Sequence, residues 1–170
     1  VDVIVSSEKT EPGDGWPYDD IAAWLSTNPT ASAAELGEEI VASYVASYPP
    51  GYYIEVTQSA VNSSLLPNIQ ISTSLLANRM QSVIATNLSL IENARAMCYE
   101  YDDLPFVDLY QFAEEIHASF DSINPLITEA AQWLMNNISA GVIASDYQQP
   151  LMSNSHGLTI YFPDSIQDYT

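Results

Sequence analysis

Hydrophobic positions change their period several times along the chain, and each change marks an element. Val1-Asp2-Val3-Ile4-Val5 is β-branched and nearly continuous, the pattern of a strand in a sheet covered on both faces. After a turn-rich stretch, Ile21, Trp24 and Leu25 fall at i, i+3 and i+4, behind Asp19 or Asp20 as the helix cap, and Asn28-Pro29 ends that helix. Ser32-Ala33-Ala34-Glu35 fits a capping box, in which hydroxyl and carboxylate each satisfy an orphan backbone N–H. The helix behind it places Leu36, Ile40, Tyr44, Val45 and Tyr48 on one stripe and stops at Pro49-Pro50-Gly51.

Tyr52 to Gln58, rich in β-branched and aromatic residues, reads as a second strand. The pattern is helical from Ser64 to Asn87, with Leu76, Met80, Val83 and Ile84 on one side, and again from Leu88 to Tyr99, where Ile91, Ala94 and Cys98 share a face. Asp102-Asp103-Leu104-Pro105 is a break. Asp108 and Gln111 form a second capping pair, ahead of a stripe of Leu109, Phe112, Ala113, Ile116 and Phe120. Asn124-Pro125 starts a further helix with its stripe at Ile127, Ala130, Ala131, Leu134 and Ile138. Val142-Ile143-Ala144 and Gly157 to Phe162 complete four candidate strands. Strands interleaved with this many helices predict a helix-rich α/β layered fold, read as one domain over residues 1–170. The pattern begins inside a strand and stops without a capping element, so both ends are expected to be truncated.

One stretch departs from these periods. Ser6 to Asp20 packs Pro12, Pro17, Gly13, Gly15, Trp16 and five carboxylates into a single connection. Proline fixes φ and glycine reaches conformations closed to other residues, so such a loop follows a defined path. An acidic loop with a fixed path, at the end of a strand, is where an α/β protein would place a ligand site, and the alternative is a stiff solvated connector.

Charge narrows the field of partners. The net charge is −19, and Lys9, Arg79 and Arg95 are the only Lys or Arg residues. Neutralising phosphates needs a basic face, so nucleic acid is excluded as a partner and anionic membrane surfaces are disfavoured. No apolar run approaches the length of a membrane span. Charged residues are only 15% of the chain, so Ser, Thr, Asn, Gln and Tyr supply much of the polar surface, a profile that fits an extracellular or cell-surface protein, or one from a salty setting. Asn62, Asn87 and Asn137 head glycosylation triplets, which arise readily by chance in such a composition. A single cysteine rules out an internal disulfide framework and a cysteine-based zinc site.

Glu8-Lys9-Thr10-Glu11-Pro12-Gly13-Asp14-Gly15-Trp16-Pro17-Tyr18 resembles the loop that follows the nucleophile segment in clostripain-like cysteine peptidases. Two later stretches match in family order, Val107-Asp108-Leu109-Tyr110-Gln111-Phe112-Ala113 and Ser155-His156-Gly157-Leu158-Thr159-Ile160-Tyr161-Phe162-Pro163. The family's catalytic His-Gly and Asp-Ala-Cys segments are absent and are expected upstream of Val1. The chain thus resembles the part of such a peptidase C-terminal to its nucleophile. The resemblance implies a partial caspase-like α/β/α sandwich, with Val1 to Val5 as the strand after the nucleophile.

Cys98 lies between Met97 and Tyr99 on an apolar helix side in acidic surroundings, which raise a thiol pKa, so it reads as a buried structural thiol. His156-Gly157 follows the only cysteine rather than preceding it and reads as structural, and His117 as a helix-surface residue. A protease specific for Arg or Lys needs a carboxylate in its side-chain pocket, because a buried uncompensated cation costs several kcal/mol. Asp14, between two glycines, can aim such a carboxylate, and Trp16 can wall the aliphatic stem; the alternative is a turn aspartate beside a core tryptophan. The resemblance implies the same role for Asp14, and Glu11 joins these two as a substrate-binding position. Glu11, Asp14, Asp19 and Asp20 could alternatively ligate Ca2+, with which the family is associated, although their spacing matches no EF-hand. No cofactor is expected for catalysis itself.

The resulting expectation is part of a secreted cysteine endopeptidase that cleaves proteins or peptides after Arg or Lys, partnered by its own N-terminal portion. A protease of that kind would resist self-digestion with so few basic residues, and Lys9-Thr10 is its expected maturation cut. The rival is a non-catalytic peptidase-like module of a cell-surface or extracellular assembly, with self-assembly as its property. An intact His-Gly and Asp-Ala-Cys ahead of Val1 would favour the enzyme.

Overall fold

In a computed structural model the described residues are 1–48, 55–103, 105–148 and 152–163. They form a helix-rich α/β fold in two compact units, residues 1–64 with 141–157, and residues 65–140 with 158 onward. The expected stop at Pro49-Pro50-Gly51 and the first three residues of the expected second strand lie outside the described residues.

The first unit is a three-stranded antiparallel sheet with helices. Strand β1 (Val3–Ser6) leads through the acidic loop to helix α1 (Tyr18–Thr27), then α2 (Ala33–Ser47) and strand β2 (Val56–Asn62). Strand β4 (Val142–Gln148) completes the order β1-β2-β4. In register, Val5 pairs with Ala60 and Ser6 with Ser59, while Gln58 pairs with Asp146. The antiparallel edge position of β1 corrects the expectation that it is covered on both faces. Val3 and Val5 turn towards α2, whereas Ile4 points the other way and is 41% exposed. The strand enclosed on both faces is β2, whose sequence Val-Thr-Gln-Ser-Ala-Val-Asn is largely polar. It runs four residues beyond the expected end at Gln58, since polar side chains hide a strand that backbone pairing makes central.

Helix α2 begins with the expected capping box. Glu35 N donates to Ser32 Oγ at 3.3 Å, while Ser32 N at 2.7 Å and Ser32 Oγ at 2.8 Å donate to Glu35 Oε2 and lower the Glu35 carboxyl pKa. Its buried face is Gly37, Val41, Tyr44 and Val45, rotated from the expected stripe. Gly37 sets that rotation: a Cβ there would stand 3.0 Å from Ala60 Cβ and 3.1 Å from Val3 Cγ1, so glycine lets the helix lie on the sheet. Helix α1 has Pro17 rather than an aspartate at its cap, Asp19 and Asp20 sit in its first turn beside the positive end of the dipole, and none of its residues is buried.

The second unit starts with a 3-10 turn at Ser63–Leu65, whose last residue belongs to it, and continues with α3 (Leu66–Gln81) and α4 (Ile84–Met97). The helix boundary expected at Asn87 survives only as a kink, with non-helical φ and ψ at that residue. A 3-10 turn at Tyr101–Asp103 leads towards strand β3 (Phe106–Asp108), a three-residue strand too short to leave a period in the sequence. Helices α5 (Leu109–Phe120) and α6 (Pro125–Gly141) carry the expected apolar stripes, buried throughout, with Met135 added. Asn124 Oδ1 accepts from Leu126 N at 3.1 Å, the expected cap of α6. Strand β5 (Thr159–Tyr161) pairs antiparallel with β3, Val107 opposite Ile160, which brings two of the three family-like stretches into one ladder.

The Asp108–Gln111 pair divides its labour. Asp108 Oδ1 accepts from Gln111 N at 2.6 Å and caps α5, whereas the Gln111 side chain accepts from Tyr99 N and donates to Met97 O. The glutamine therefore ties the end of α4 to the start of α5 instead of closing a capping box.

Candidate functional site

The acidic loop leaves β1 stapled to the sheet. Thr57 Oγ1 accepts from Glu8 N at 3.0 Å and lies 2.9 Å from Ser7 Oγ, and Ser59 Oγ approaches Ser6 O at 3.2 Å and Gly157 O at 2.8 Å. Thr57, Gln58 and Ser59 are each 1% exposed or less. Burying polar side chains mid-strand is unfavourable unless they are bonded, and here Thr57 bonds the loop while Ser59 reaches both Ser6 and Gly157.

The loop then turns sharply. Gly15 N donates to Pro12 O at 3.3 Å, and Gly15 takes φ +77°, a conformation glycine adopts without steric penalty. Tyr48 Oη donates to Gly15 O at 3.2 Å, fixing the turn to the end of α2. Trp16 packs on the cluster of Tyr44, Val45, Tyr48 and Val56, edge-on to Tyr44 with ring centres 6.4 Å apart. Asp14, Gly15, Trp16, Pro17, Ser47 and Tyr48 together line a concavity of about 230 Å³. That is below the roughly 300–1,000 Å³ of pockets for drug-sized ligands, a size suited to one side chain. Asp14, an exposed residue, lines it together with the aromatic side chains of Trp16 and Tyr48.

Of the three expected site residues, Asp14 and Trp16 line this concavity and Glu11 does not. Glu11 Oε2 accepts from Trp16 Nε1 at 2.8 Å and Oε1 from Gln58 Nε2 at 3.3 Å. The carboxylate only accepts, so it requires the amide nitrogen of Gln58 to face it. Gln58 Oε1 is left buried with no hydrogen-bond partner among the described residues, a cost of about 1–3 kcal/mol. Burial and the nearby Glu11 charge push the Tyr44 phenol pKa up. Sequence reasoning missed Ser47, Tyr48 and Gln58; Tyr48 is visible there only as a stripe residue, and nothing in the sequence pairs Gln58 with the loop.

The other candidate groups are accounted for structurally. Cys98 is 7% exposed, its Sγ donates to Ala94 O at 3.3 Å, and burial pushes its thiol to about 12, against the opposing Arg95 charge. Gly157 takes φ +100°, and a Cβ there would meet Ser59 Cβ at 3.0 Å and Val142 Cγ1 at 3.1 Å. The Ser-His-Gly turn is thus shaped by close backbone approach to β2 and β4. Lys9 Nζ pairs with Glu55 at 3.4 Å and its side chain is 16% exposed, so coverage works against the expected cut at Lys9-Thr10. Among the described residues no three His, Cys, Asp or Glu side chains come together to hold a metal ion; the loop carboxylates named for Ca2+ do not converge. Among the described residues no helix is long and apolar enough to cross a membrane.

The model of the clostripain family, Peptidase_C11, matches residues 1–170, the whole chain. No curated protein sequence matches it. The family match spans the acidic loop, the β3–β5 ladder and the Ser-His-Gly turn alike, and the chain belongs to the clostripain family of peptidases.

Proposed function

We propose that this chain builds the specificity side of an extracellular cysteine endopeptidase that cleaves after Arg or Lys, with the catalytic His and Cys supplied N-terminal to Val1 and the whole adopting a caspase-like sandwich. The observation that carries the reading is the concavity lined by Asp14 together with Trp16 and Tyr48. Aromatic faces bury the aliphatic stem of a basic side chain and attract its cationic head, and a carboxylate meets that charge. The net charge of −19 raises the local concentration of cationic substrates in the same direction. In the reaction the cysteine thiolate attacks the scissile carbonyl carbon and the histidine transfers the proton to the leaving amine. The residues of this chain hold the substrate side chain that sets the register of that attack. A Lys-poor surface rich in Ser, Thr, Asn and Tyr supports action outside the cell.

The test compares paired reporter peptides carrying Arg or its neutral isostere citrulline at the cleaved position, in the full-length protein. Asp14→Asn is expected to lower the Arg-to-citrulline ratio of kcat/KM by at least about tenfold, about 1.4 kcal/mol. An unchanged ratio would overturn the assignment of Asp14, and an absence of cysteine-dependent hydrolysis would overturn the enzyme.

A further inference from the structure

The Glu11 carboxylate is the obvious second anion for a basic-residue pocket, yet its two oxygens are both engaged. One accepts from the Trp16 indole at 2.8 Å, the other from Gln58 at 3.3 Å, and Gln58 stands on the enclosed central strand. We infer that Glu11 and Gln58 are positioning residues: they form a clamp that holds Trp16 as the wall of the substrate concavity, and Glu11 acts on substrate only through that indole. The inference rests on the basic-residue reading of the concavity and deepens it.

Three observations converge on the clamp. Trp16 is only partly buried, and its ring contacts to Tyr44 and Tyr18 are centred at 6.4 Å each, so ring packing alone leaves its angle loosely determined. The Glu11–indole bond removes that freedom, because a charge-assisted hydrogen bond fixes the indole edge in direction as well as distance. Gln58 is fully buried with its Oε1 unpartnered among the described residues, a penalty that a leucine of similar size would avoid. A buried amide whose acceptor is orphaned while its nitrogen reaches Glu11 is the signature of a positional requirement on that nitrogen. The neighbouring Thr57 and Ser59 bond the opening of the same loop, so this polar segment of β2 is a template on which the loop is laid out.

A merely structural role and a positioning role differ in what moves together. If Gln58 only stabilised the fold, Gln58→Leu would alter stability and leave ligand binding to the folded fraction unchanged. As a positioning residue, Gln58→Leu should loosen the pocket wall whichever way the thermal midpoint moves, since it removes the orphaned Oε1 but also takes the donor from Glu11 Oε1. The readouts are the solvent-exchange rate of the Trp16 indole N–H by NMR, assigned by its loss in Trp16→Phe, and affinity for Nα-acetyl-arginine methylamide. Glu11→Ala should speed indole exchange by about tenfold or more and weaken the probe several-fold, Glu11→Gln should recover much of both, and Gln58→Leu should fall between.

Unchanged indole exchange in Glu11→Ala would overturn the clamp, as would faster exchange with unaltered probe affinity. A wild-type chain with a protected indole that binds no arginine probe would instead overturn the pocket reading, and the positioning role with it, while leaving the clamp itself visible. The two failures are therefore separable.

Discussion

Burial of the Cys98 thiol beside the Ala94 carbonyl keeps it protonated far into the alkaline range. Its pKa rises from 9.0 to about 12, so folding disfavours the thiolate. That stabilising difference is fully present below about pH 9 and is lost progressively as the pH rises towards 12. Denaturant midpoints followed across this range should fall more steeply in the wild type than in Cys98→Ala, and iodoacetamide should label the native thiol at least about 100-fold more slowly than the unfolded one at pH 8. Gly157 offers a second residue-level test. Its φ of +100° disfavours any side chain, and a Cβ would sit 3.0 Å from Ser59 Cβ. Backbone strain of about 1–3 kcal/mol adds to overpacking, so Gly157→Ala should lower unfolding free energy by roughly 2–4 kcal/mol, measured by urea denaturation. The chemistry of Cys98 was legible from its apolar neighbours, because desolvation depends on local composition. The partner of Glu11 was not, because Gln58 lies 47 residues away in sequence.

Helix α2 shows how an element is placed by what it lacks. The periodic stripe was legible at Tyr44 and Val45, but Gly37 carries no hydrophobic signal and yet sets the contact with the sheet. Replacing it by alanine favours the helix by about 1 kcal/mol on propensity, against overpacking of about 1–3 kcal/mol. The contact is with a rigid Cβ at 3.0 Å, so overpacking should win. Gly37→Ala is expected to destabilise the protein by about 1 kcal/mol in chemical denaturation, whereas a gain in stability would mean that α2 can slide on the sheet. Strands obeyed the same logic in reverse. The apolar β1 is a half-exposed edge and the polar β2 is enclosed, since neighbours across the ladder decide coverage. Helices α5 and α6 were legible almost residue for residue, because their caps and stripes are local and mutually consistent.

At the scale of the whole molecule, a net charge of −19 acts against compactness through self-repulsion. Raising salt from about 0.01 M to about 0.1 M shortens the screening length from about 30 Å to about 10 Å. The thermal midpoint should therefore climb by several degrees over that range, measured by circular dichroism in KCl, and a flat response would show that the repulsion is already relieved at low salt. Sequence by itself determined the α/β class, the caps of α2, α5 and α6, the acidity and the family-like loop, because periodicity, capping chemistry and composition act over a few residues. Only tertiary structure decided which strand is central, that Glu11 grips Trp16 and Gln58, and that Asp14, Trp16 and Tyr48 surround one concavity. The ties to Gln58 and Tyr48 join residues far apart in the chain, where backbone pairing and packing rather than local preference select the neighbours.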